Sequence, residues 1–87
     1  MRIETADDVQ LLVEDFGWRL NHSIPEIRNM LKEVNAQQHR QMSILINRRV
    51  WDETFSDEMA VQARFEAAQR FTKEDKAIDL WFERENK

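Results

Sequence analysis

Two histidines and three serines are the residues of this chain best suited to reactive chemistry, and their spacing gives them little to do. His22 and His39 do not share a helix face at i,i+4 spacing, and only Glu26, four residues after His22, could join either as a metal ligand. Two ligands do not make a site, so no metal is expected. A serine nucleophile needs a base, an orienting acid and amide donors around a sharp turn. Ser23, Ser43 and Ser56 stand in no such elbow, and Ser23 and Ser56 read better as helix caps. With one glycine the chain cannot build a phosphate-cradling loop, and with no cysteine it has no disulfide, thiol nucleophile or thiolate metal site. The remaining catalytic option is electrostatic, with Arg19, Arg28, Arg48 and Arg49 clamping a dicarboxylate. No spacing rule ties those four together, so neither a catalytic residue nor a cofactor is expected.

Binding chemistry has better candidates. Tryptophan and arginine concentrate at the energetic centres of protein interfaces, which singles out Trp18, Trp51 and Trp81 with Arg40, Arg48 and Arg49. Trp18 lies off the Val9, Leu12, Phe16 stripe by about two residues of helical rotation, and Trp51 stands beside Asp52 at the end of a long helical pattern. The competing reading is that a tryptophan completes a small core, and Trp81 is the most exposed to that alternative because it falls in an apolar stripe.

The elements that must position these residues are helical. The 87 residues hold one Gly, one Pro and no Tyr, a composition that favours helix and starves hairpins of turn residues. Excluding alanine, 29 large apolar residues supply one modest core, and residues 1–87 are read as a single helical domain. So small a domain buries about 60% of its unfolded surface, which leaves it marginal unless it associates.

Capping boxes, in which a Ser or Thr is followed three residues later by Asp or Glu, mark four helix starts. Thr5 to Asp8 opens a helix of about residues 6–20, with Val9, Leu12, Val13, Phe16 and Leu20 on the buried face. Ser23 to Glu26 opens the second, with Pro25 in its first turn and Asn21 and His22 as the preceding turn. Thr54 to Asp57 opens a third over about residues 55–71, with Val61, Phe65 and Ala68 inward and Met59 and Phe71 at the flanks. Thr72 to Asp75 opens a fourth, carrying Ala77, Ile78, Trp81 and Phe82, although no breaker separates it from the third. The expected fold is therefore an all-α bundle of three to four helices.

Its long central helix runs over about residues 24–52, because Ile24, Ile27, Leu31, Val34 and Leu45 stay in phase across the polar stretch 35–41, which contains neither Gly nor Pro. At 1.5 Å per residue such a helix is about 43 Å long, more than a compact domain of this mass can cover. Gln38 and Gln41 would form a polar layer in that seam, a device that fixes register at some cost in stability. A bundle completed by homodimerisation follows as the expected architecture; a loop at 35–41 is the alternative.

Charge is unevenly divided. Residues 1–25 carry a net −3, 26–50 a net +3, 51–71 a net −3 and 72–87 a net −1. The simplest account is that the basic helix lies against acidic neighbours, within the fold or across a dimer. Exposed faces should carry i,i+4 pairs such as Asp15 with Arg19 and Glu66 with Arg70. Two other readings compete: Arg28, Lys32, Arg40, Arg48 and Arg49 as a phosphate-binding strip, or the acidic faces as an imitation of a nucleic-acid backbone. The net charge of −4 disfavours the first, and helix-start duty for Asp7, Asp8 and Asp57 weakens the second. No membrane span or export signal is evident, which makes the cytoplasm the default location. The expected function is a noncatalytic interaction or regulatory module with a protein partner, with inhibition of a nucleic-acid-handling complex as the alternative and direct nucleic-acid binding behind it.

Overall fold

A computed structural model describes residues 2–51 and 57–87, with Val50 and Trp51 described in backbone only. The described residues form α1 (Ala6–Phe16), a 3-10 turn (Trp18–Leu20), α2 (Ile24–Trp51) and α3 (Asp57–Glu85), with no strand among them. α2 and α3 run antiparallel as a long hairpin, and α1 packs chiefly on α3 at the end where α2 begins and α3 finishes.

Local chemistry explains where α1 starts and stops. The Thr5 hydroxyl accepts the Asp8 amide, while the Asp8 carboxylate accepts the Glu4 and Thr5 amides at 3.0 Å each, a complete capping box. Those backbone donors, Glu4 first, hold the Asp8 carboxyl below its ordinary range. At the other end Gly17 adopts φ +63°, a left-handed cap that a side chain would strain. The helix therefore ends at Phe16, short of the expected residue 20. Leu20, assigned by spacing to the buried face, is 86% exposed because the chain has already left the helix axis. Phe16 keeps the phase of Val9 yet is 61% exposed, since it lines an open hollow and finds only Trp18 to stack on. Nor does Arg19 pair with Asp15, because Gly17 interrupts the i,i+4 spacing; it pairs with Glu85 at the end of α3.

α2 opens where its cap predicts, with Ser23 Oγ accepting the Glu26 amide at 3.4 Å, and it continues without a break through 35–41. Its apolar stripe is treated differently along its length. Ile27 and Leu31 are buried beneath α1 and α3, whereas Val34 and Leu45 are exposed. Leu45 lies 18 residues, five full turns, beyond Ile27 and so points the same way. What differs is the cover: α1, 11 residues long, packs chiefly on α3, and Val34 and Leu45 face an open hollow that its Leu12 and Phe16 wall without closing.

α3 is one helix from Asp57 to Glu85, so the fourth helix expected to start at Thr72 does not form separately. Thr72 Oγ1 instead donates to the Ala68 carbonyl one turn back, a bond available inside a helix. The expected Thr54 cap lies outside the described residues. Val61, Phe65 and Ala68, expected to face inward, are exposed, and the same helix buries Ala60, Ala77, Ile78 and Trp81. Two stripes compete for the interior on this helix, and the one carrying Ala60, Ala63 and Ala67 is turned toward α2, with Ala60 buried and Ala63 and Ala67 half-buried along the cleft. On the outside, Glu66 accepts from Gln62 and Arg70 pairs with Glu74, so the expected Glu66 to Arg70 pair is not made.

The main core is one cluster, Val9 and Val13 from α1, Ile27 and Leu31 from α2, and Ala77, Ile78 and Trp81 from α3, while Ile46 of α2 and Ala60 of α3 are buried outside it. A polar ladder beside it sets the register of the hairpin. Arg28 holds Asp79 at 2.7 Å, Lys32 reaches both Asp75 and Asp79 at 3.0 Å, and the buried Asn35 donates to the Phe71 carbonyl at 3.2 Å and to Asp75 at 3.0 Å. This is where part of the basic charge of α2 meets the acidic charge of α3.

Desolvation pushes the Asp79 carboxyl up, but the hydrogen bonds and charges of Lys32 and Arg28 outweigh it and hold the group below its ordinary range. A depressed carboxyl contributes stability that is full above its unfolded pKa of about 3.9 and is lost as pH falls through the folded value. The urea midpoint is therefore expected to hold near neutrality and drop below about pH 4. Asp79→Asn should flatten that acid limb, and an unchanged limb in this variant would show that Asp79 is not its source.

Candidate interaction surface

Beyond the reach of α1, the cleft between α2 and α3 has no third helix over it. α2 presents Val34, Gln38, Gln41, Met42 and Leu45 to this cleft, and α3 presents Ala63, Ala67, Arg70, Phe71 and Glu74. Two adjoining open hollows result, of about 710 and 660 Å³, which share Ile3, Met42, Leu45, Ala67 and Arg70. Leu12, Phe16 and Trp18 wall the end nearest α1. Val34 is 41%, Met42 40% and Leu45 55% exposed, which is ample apolar surface for a partner side chain to cover.

The six residues singled out as interface candidates separate. Trp18 is half-buried at the α1 end of the cleft, its ring stacked on Phe16 with centroids 5.3 Å apart, and Arg49 is exposed and lines the larger hollow. Arg40 and Arg48 are exposed on α2 but line neither hollow. The Trp51 side chain lies outside the described residues. Trp81 is not surface at all: it is fully buried in the core, with Nε1 donating to Gln10 Oε1 at 2.8 Å and the Arg19 guanidinium 5.8 Å from its ring. Its stripe with Ala77 and Ile78 pointed to that outcome.

Of the apolar cleft residues, spacing assigned Phe16 to the buried face and passed over Met42. The heptad stripe had marked Val34 and Leu45 as seam positions, and the polar pair Gln38 and Gln41 between them was the signal that this half of the stripe faces something other than the core.

Among the described residues the reactive groups do not converge. The four arginines of the hypothetical clamp go separate ways, Arg19 to Glu85 and Arg28 to Asp79, with Arg48 and Arg49 some 20 residues further along α2. His22 Nδ1 lies 3.2 Å from Glu26 Oε2, and among the described residues no group of three or more His, Asp or Glu side chains is placed to hold a metal ion. His39 packs its ring on Phe71, centroids 4.7 Å apart, with Nδ1 buried and lacking a hydrogen-bond partner. Ser43 donates to the His39 carbonyl, and Ser56 lies outside the described residues. No helix among the described residues is long and apolar enough to cross a membrane. No family model, no curated protein and no solved structure matches this chain.

Proposed function

We propose that this chain is a noncatalytic interaction module, homo-oligomeric in its working state, that acts by docking a polypeptide surface into the open α2–α3 cleft. The observation that carries the reading is the exposed apolar wall of Val34, Met42 and Leu45 continuing the stripe that Ile27 and Leu31 bury, on a helix whose cover stops short. Covering such a wall is favourable at about 25 cal/mol per Å² of apolar area, and the polar Gln38 and Gln41 in its midst give a partner something to be specific about.

Readings that rest on charge have less to draw on. Of the basic residues of α2, Arg28 and Lys32 are engaged with Asp75 and Asp79, and of the acidic ones near the start of the chain Asp7 holds Arg84 and Asp8 caps α1. A phosphate strip or an imitation of a nucleic-acid backbone would need those charges turned outward together.

A photoreactive phenylalanine analogue placed at Gln38 tests the docking reading in living cells, with Glu83, exposed near the end of α3, as the control position. Irradiation is expected to join a polypeptide to the Gln38 position and none to the Glu83 position. Absence of any polypeptide adduct at Gln38, with the chain folded and abundant, would dispose of the module reading.

A further inference from the structure

We infer that the occupant of the cleft is a second copy of this chain, lying antiparallel across it about a two-fold axis between Gln38 and Gln41. The inference rests on the docking reading above and adds the partner and its register.

The first observation is surface. The chain exposes 6527 Å², where a compact monomer of 10.5 kDa exposes about 5,400 Å². Its radius of gyration is 15.5 Å against about 12 Å for a compact 87-residue domain. The excess of roughly 1,100 Å² is spread over an elongated body of 48 × 19 × 18 Å, and it is large enough to include the about 800 Å² that one partner contributes to a standard stable interface.

The second is self-complementarity, which a two-fold interface demands because the same patch must serve both sides. On α2 four of the cleft residues, Val34, Gln38, Gln41 and Leu45, step by four, three and four, and their order apolar, polar, polar, apolar reads the same in either direction, with His39 and Met42 lying between them outside that symmetry. An antiparallel copy centred between the glutamines sets Val34 on the second copy's Leu45 and Gln38 on the second copy's Gln41. Apolar then meets apolar, and two amides that each offer a donor and an acceptor meet each other. On α3, Ala63, Ala67, Arg70 and Glu74 repeat the spacing but not the chemistry: the same axis sets Ala63 against the second copy's Glu74 and Ala67 against its Arg70, small side chains against long ones, so the like-with-like match is confined to α2. The His39 ring against Phe71 places the two midpoints at one level, so a single axis serves both helices.

The third is charge. The cleft rim carries both signs, Arg49 and Arg70 with Glu66 and Glu74, and Arg70 already pairs with Glu74 within the chain, so the rim presents a second copy with mixed, locally compensated charge. A rim built for a nucleic acid would be of one sign.

The chain has no cysteine, so introduced ones report without interference. Sedimentation or light scattering of the purified full chain from micromolar to millimolar concentration is expected to show a dimer. Leu45→Glu, a change at an exposed position, should return it to a monomer with unchanged far-UV circular dichroism. Under oxidation a mixture of Gln38→Cys and mass-labelled Gln41→Cys chains is expected to yield mixed cross-links about fivefold above either like pair, given the narrow range of distances a disulfide spans. A strict monomer over that range overturns the second-copy inference, as does a dimer indifferent to Leu45→Glu or one whose like pairs link as well as the mixed pair. The docking reading fails separately, by the absence of any adduct at Gln38 in cells. A monomeric chain joined there to a different polypeptide would keep that reading and remove this one.

Discussion

Trp81→Ala is expected to leave the chain largely unfolded at 25 °C. The indole is fully buried, touches all three helices through the core cluster, and places its one polar atom on Gln10. Truncating a buried tryptophan costs about 3–5 kcal/mol through lost transfer energy and the cavity left behind. At roughly 0.05–0.15 kcal/mol per residue an 87-residue domain has about 4–13 kcal/mol in total, and a core this small puts the chain toward the lower end of that range. Trp81→Phe keeps most of the apolar volume and frees a Gln10 side chain that is only half-buried, so a loss of about 1–2 kcal/mol and a cooperative transition at lower urea are expected. Circular dichroism of the two variants decides it, and a Trp81→Ala chain with native helicity and an unshifted melting curve would show that α1 and the hairpin do not depend on this ring.

Asn35→Asp is the second large effect, from a change of almost no volume. The Asn35 amide is buried at 5% exposure and donates to the Phe71 carbonyl and the Asp75 carboxylate, both acceptors. A carboxylate there turns two hydrogen bonds into two repulsions, with the Lys32 ammonium already committed to Asp75 and Asp79. Leaving a buried charge without compensation costs about 3–5 kcal/mol. The group would resist ionising, so its folded pKa would lie above the unfolded value near 3.9, and its contribution would be full below that value and lost as pH rises through the folded one. The variant should thus gain stability on mild acidification, from about pH 7 toward about pH 5, where the parent holds steady. Asn35→Leu removes the donors without adding charge and is expected to cost about 1–3 kcal/mol with no such pH dependence. An Asn35→Asp chain as stable as the parent at neutral pH would mean that water or a rearranged Lys32 satisfies the site.

Both effects sit in the half of the hairpin that α1 covers, and the contrast with the open half organises the molecule. Where three helices meet, apolar side chains close over Trp81 and the ion pairs of Arg28 and Lys32 lock the register. Where two helices run on alone, Val34, Met42 and Leu45 remain uncovered. A helix of 28 residues paired with one of 29 cannot be roofed by one of 11.

Much of this was legible in the amino-acid order because it is local. A hydroxyl three residues ahead of a carboxylate fixes a helix start wherever it stands free, as at Thr5 and Ser23, and the lack of glycine and proline from 26 to 87 leaves a helix few reasons to stop. The same signals misled where a helix was already running: Thr72 has a capping sequence, but its hydroxyl is spent on the Ala68 carbonyl because the preceding turn offers it. Periodicity likewise finds a stripe and not its cover. Ile27 and Leu45 point in one direction from one helix, and no property of either residue says that one is buried and the other open. That difference was decided by the length of α1, the left-handed Gly17 that ends it, and the choice of α3 to turn its alanines, not Val61 and Phe65, toward α2. Which stripe goes inside is a property of how closely two backbones can approach, and that closeness exists only once the helices have met.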